Sequence, residues 1–121
     1  MLALSVVDPT GSRIRTGKKT IEVRDWQPDT LPIKNLLIVQ NTVRLNSMDQ
    51  PEDHDGKIVA MVDVTNIRPW VEDDVEASCA NYFEDGWLAW ELSNIRKIDY
   101  PKPVTARLRL YEVEINEELL S

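Results

Sequence analysis

The chain has 121 residues and a mass of 13.9 kDa, with 42% hydrophobic and 29% charged side chains, the size and mix of one compact domain. A net charge of −7 and a pI near 4.7 exclude a generic polyanion binder, which is usually basic. A single cysteine, Cys79, excludes a disulfide framework or a multi-cysteine zinc site and fits a reducing compartment.

The start, MLALSVVDPTG, has no positive leader region and only a short apolar run, so it resembles neither a secretory signal nor a membrane span. A soluble, cytoplasmic protein with no membrane partner is expected. Leu2 to Val7 reads as a first strand. Asp8 then supplies an N-cap and Pro9 the first helical position of a short helix. That helix should end near Thr16, with Gly17 as its left-handed cap.

Thr20 to Arg24 alternates as a strand, with Ile21 and Val23 on one face and Thr20, Glu22 and Arg24 on the other. Trp26 to Pro32 is a proline-bearing loop. Leu36-Leu37-Ile38-Val39 is a short apolar run expected to be a strand buried on both faces. Asn46 to Gly56 is polar and reads as an exposed loop. Ile58 to Val64, rich in branched side chains, is the strongest strand signal. Glu72 to Phe83 has helical character, with acids where a first turn favours them.

Pro101 and Pro103 precede a last strand from Val104 to Ile115. Its apolar positions change phase, which calls for a bulge at Leu110-Tyr111. The order amounts to an α+β fold with a mainly antiparallel, barrel-like sheet and short flanking helices, and no parallel βαβ rhythm.

Charge is uneven along this chain. Arg13, Arg15, Lys18, Lys19 and Arg24 fall within twelve residues against one acid, Glu22, a local positive patch suited to a short or single-nucleotide ligand. Glu22 and Arg24 share a strand face and can flank one ligand. Lys19 would point away under strict alternation and joins them only from the turn after Gly17. Read alone, the segment also suits a surface strand with an ion pair worth at most about 1 kcal/mol.

Trp87 and Trp90, three apart, face opposite ways on a strand, so that one packs in the core and the other is available to stack on a base, and the same way on a helix; both rings covering core is the equal alternative. Trp26 beside the charged motif is the first candidate for a stacking ring in the cleft, and Trp90 the second. His54 lies between Asp53 and Asp55, but the spacing around Gly56 fails the calcium-loop pattern. One histidine in a remote loop gives Ser78 or Cys79 no triad.

The spacing Gly-x-Lys-x-x-Glu-x-Arg, here Gly17, Lys19, Glu22 and Arg24, resembles the signature of the ASCH domain, a relative of the PUA RNA-binding fold. Trp26, the LLIV strand, Gly56-Lys57-Ile58-Val59-Ala60, the GWLAW stretch and Pro101-Lys102-Pro103-Val104 extend the resemblance over nearly the whole chain, as in small single-domain bacterial members. The last strand, TARLRLYEVEI, lacks the glycine that many members carry.

The resemblance implies a PUA-like β-barrel with a cleft lined by Lys19, Glu22 and Arg24, for RNA or a modified nucleoside. Lys18, Thr20, Trp26 and Trp90 are the candidate ligand contacts. Some members are N4-acetylcytidine amidohydrolases, in which the motif lysine supports a threonine nucleophile and a glutamate. Lys19 is retained here, but Glu22 stands at the threonine position, so that covalent mechanism does not carry over directly. Other members are described as ribonucleases.

If hydrolysis occurs, Glu22 would activate water as general base while Lys19 or Arg24 stabilises the developing oxyanion. Thr20 has no base evident beside it. No cofactor is called for, except a divalent metal in the ribonuclease case. The competing reading is a non-catalytic protein-interaction adaptor with an acidic surface, carried by the Glu72 to Glu76 cluster, and its partner would be another protein.

Overall fold

The computed structural model describes all 121 residues. Seven strands dominate: β1 (Leu2–Val7), β2 (Ile21–Arg24), β3 (Ile33–Asn41), β4 (Glu52–Pro69), β5 (Leu88–Lys97), β6 (Val104–Arg107) and β7 (Leu110–Glu112). One short helix, α1 (Thr10–Arg15), follows β1, and single 3-10 turns occur at Glu72–Asp74 and Glu117–Leu119. The sheet runs in the order β2-β5-β4-β3-β1-β7, with β6 paired to β4. Only β1 and β3 are parallel; every other pair is antiparallel.

The 18-residue β4 shapes this molecule. Its first residues pair with β6, its middle with β3 and its last with β5, and the register slips within each ladder. Such slips coil a strand and let a sheet curl. Because β7 follows β6 directly and pairs with β1, the sheet curls into a half-barrel. Gly56 lies at the tightest approach: a Cβ there would stand 2.6 Å from the Val104 carbonyl oxygen.

The LLIV run is buried on both faces. Leu36 and Ile38 join one core cluster with Leu4, Ile14, Val62, Val64 and Trp90; Leu37 and Val39 join another with Ile58, Ile98 and Val104. A smaller cluster around Ile21, Trp70 and Ala89 packs between β2 and the segment that follows β4.

Four local expectations are corrected. The first helix starts at Thr10, and Asp8-Pro9 is a cis peptide with no side-chain cap on the helix. The polar loop ends earlier than Gly56, since β4 begins at Glu52; Asp53 is buried there and accepts from the backbone N–H groups of Thr42 and Asp55.

Glu72 to Phe83 is not a helix. The Asp74 carboxylate is held by Arg68 through two bonds of 2.6 and 2.9 Å and by the Val71 N–H, and Cys79 turns left-handed at φ 56. These tertiary bonds override first-turn propensity. Finally, the predicted last strand is broken into β6 and β7. The phase change falls at Leu108-Arg109, where Arg109 takes φ 59, and not at Leu110-Tyr111.

Candidate functional site

Gly17 takes φ +81 after α1, and its N–H bonds the Ile14 carbonyl, closing the helix as a left-handed cap. Three residues, Lys18, Lys19 and Thr20, then lead into β2. Lys19 is the middle one, its backbone N–H fixed on the Arg13 carbonyl, and its side chain swings into the protein. It thereby leaves strand alternation and meets Glu22.

The resulting constellation is tight. Lys19 Nζ lies 3.2 Å from Glu22 Oε1 and donates to the Ser78 carbonyl at 2.6 Å. Arg24 Nη2 donates to Glu22 Oε2 at 2.9 Å and to the Ser5 carbonyl at 3.0 Å. The Lys19 and Glu22 side chains are each 8% exposed, and that of Arg24 24%. Burial pushes the Glu22 carboxyl up, but the charges of Arg24 and Lys19, with their hydrogen bonds, outweigh it and hold the carboxyl below its ordinary value. Glu22 is therefore an ionised acceptor clamped between two cations.

These three residues lie in the lining of a concave cavity of about 380 Å³, within the 300–1,000 Å³ range typical of small-ligand sites. Trp26 lines the same cavity. Its ring meets Trp90 edge to face at 5.0 Å, and the Arg109 guanidinium lies 4.9 Å over it. Ser5 lies there too: its hydroxyl shares a 2.6 Å hydrogen bond with the Tyr111 phenol and accepts from the Arg107 N–H. Burial pushes the Tyr111 phenol up, so it stays a neutral partner.

The remaining sequence candidates separate. Trp90 is fully buried and donates its indole N–H to the Trp26 carbonyl, so it braces the cavity wall from behind and presents no face to a ligand. Trp87, 36% exposed, is the member of that pair that reaches the cavity. Lys18 and Thr20 are exposed and lie outside the cavity lining, while the Thr20 backbone bonds Ala77 and Leu92. His54 stands on β4, its ring near Thr105 Oγ1.

Sequence reasoning missed Arg44, Arg107 and Arg109, all of which line the cavity. Arg107 and Arg109 flank Leu108 where the apolar phase of the last strand breaks. A phase break bracketed by two arginines is the signal that marks them.

The fold and the cavity together define a small curled-sheet module with a charged, ligand-sized cleft. The family model of the ASCH domain matches residues 4–102, and the chain belongs to the ASCH domain family. Two single-substitution mutants of the ASCH protein from Zymomonas mobilis share the PUA-like fold, each with a TM-score of 0.50. One is 15% identical, with 89% of each chain covered; the other is 17% identical, with 89% of this chain and 87% of that one covered. No curated protein matches the chain.

Proposed function

We propose that the cavity binds RNA or a modified nucleoside, with Lys19, Glu22 and Arg24 as its polar floor. The observation that supports this most is the convergence of those three side chains in one nucleotide-sized cavity. ASCH domains are generally RNA-binding, which agrees. Lys19 and the Arg24 fork supply donors, and Glu22 an acceptor, the groups needed to read a base edge.

Binding is the leading role, ahead of hydrolysis. A carboxylate whose ionised form is stabilised by two cations gains little by taking a proton, so Glu22 makes a weak general base near neutral pH. Trp26 contributes by holding Arg109 over the cavity, so a stacked base meets the guanidinium or the remaining indole surface.

The test is fluorescence anisotropy with a labelled single-stranded RNA hexamer across a salt series, alongside assays of RNA cleavage and N4-acetylcytidine hydrolysis with and without divalent metal. Binding that weakens with salt, loses about tenfold on Arg24→Gln and is accompanied by no turnover supports the proposal. Turnover that disappears in a folded Lys19→Ala variant would restore the hydrolase reading. Absence of RNA and nucleoside binding at low salt would move the protein to the adaptor class.

A further inference from the structure

The cavity's charge is divided between a floor partly paired within the protein, where only Nη2 of the Arg24 fork is engaged, and three exposed arginines. On the floor, Lys19 and Arg24 spend their contacts on Glu22, the Ser78 carbonyl and the Ser5 carbonyl. Arg44, Arg107 and Arg109, all exposed, line the same cavity and form its solvent side. Arg44 and Arg109 make no ion pair within the protein, and Arg107 makes one with Glu52 at 3.1 Å, between side chains 57% and 40% exposed. So exposed a pair exchanges readily for a better anion. Asp25 is the one other carboxylate of the lining, against five cationic side chains.

Arg109 is also held in place before any ligand arrives. Its backbone is left-handed at φ 59, a conformation uncommon for a bulky side chain and natural to glycine. The guanidinium lies over Trp26, an attraction that fixes its position and leaves its N–H fork free. The backbone of Arg107 is pinned through the Ser5 hydroxyl. Forked guanidinium donors gathered on that side match the oxygens of a phosphate.

We propose that Arg44, Arg107 and Arg109 form a phosphate subsite on the solvent side of the cavity, so that the preferred ligand is a nucleoside monophosphate unit and not a bare nucleoside. The inference rests on the floor being the base site, as proposed above, and adds the second contact point. A monophosphate carries about −1.5 to −2 charges near neutral pH, enough to engage two guanidinium groups at once.

The experiment compares, by calorimetry at low salt, the four nucleosides, their 5′- and 3′-monophosphates, and inorganic phosphate. At least one monophosphate is expected to bind tenfold or more tightly than its nucleoside and than phosphate alone. Arg44→Gln should erase most of that preference while leaving nucleoside affinity within twofold; Arg109→Gly should erase it too, with a smaller loss of nucleoside affinity because that guanidinium also meets the base. Glycine suits the left-handed backbone at 109, so the second variant keeps its fold even if the first does not. Nucleosides binding as tightly as their monophosphates would overturn the phosphate subsite and spare the base site. Inorganic phosphate binding as tightly as the monophosphates would overturn the nucleotide assignment, and no binding by any nucleoside or monophosphate would overturn both readings.

Discussion

Replacing Glu22 with glutamine removes one negative charge from between two cations and leaves the shape almost unchanged. Deleting one partner of a buried ion pair costs about 3–5 kcal/mol, because the opposite charge is left uncompensated. Two features place Glu22→Gln at the low end. Glutamine keeps an acceptor oxygen for Lys19 or Arg24, and Arg24 at 24% exposure can still be hydrated from the cavity. The expected loss is about 3 kcal/mol, which lowers Tm by about 10 °C for a chain of this length.

Urea unfolding at pH 7 should show a lower midpoint with an unchanged slope. The pH dependence gives a second check. The folded Glu22 carboxyl lies below its ordinary value of 4.5, so its stabilisation is complete above that value and is lost as pH falls through the folded value. The gap between the parent protein and Glu22→Gln should therefore be constant near neutral pH and narrow below about 4.5. A variant within about 0.5 kcal/mol of the parent at pH 7, or a gap that persists unchanged into acid, would refute the picture of a clamped carboxylate.

Other substitutions test the frame around the site. Trp90→Ala should cost about 3–5 kcal/mol in urea unfolding, because the ring is fully buried and bonded to Trp26, whereas Trp87→Ala should cost under about 1 kcal/mol. Gly56→Ala should lose about 1–3 kcal/mol, since the new Cβ meets backbone oxygen at 2.6 Å and Val39 Cγ1 at 2.8 Å; a neutral effect would mean that β4 and β6 are not so close. Tyr111→Phe should cost about 1 kcal/mol through loss of the Ser5 bond, with monophosphate affinity reduced more than nucleoside affinity if that bond steadies the Arg107 segment.

Patterns repeated along the chain were legible in the sequence. The LLIV run and the Ile58 to Val64 stretch declare themselves because burial on two faces leaves no room for polar residues. The Gly17 cap follows from the one residue type that adopts its backbone without cost. Glu72 to Phe83 misleads because its acids look like helix-starting residues, while Asp74 is in fact committed to Arg68, six residues upstream. For the site, spacing gave Glu22 and Arg24, and the turn after Gly17 gave the condition under which Lys19 could join them. Arg44 could not be read in the same way, since a side chain from the segment after β3 reaches the cavity only through tertiary folding.

The position of β2 has a dynamic consequence. This four-residue strand ends the sheet path, paired only with β5 along its length and touched at its start by the Ala77 carbonyl. Few ladder bonds hold it, so its local opening needs much less free energy than unfolding of β4, which is bonded on both flanks. Peeling of β2 would disperse Lys19, Glu22 and Arg24 while the half-barrel stayed intact. The ion cluster thus does double duty as a latch on its own strand, and a ligand that engages the cluster would slow amide exchange in Ile21–Arg24 well before it changed the melting of the whole domain.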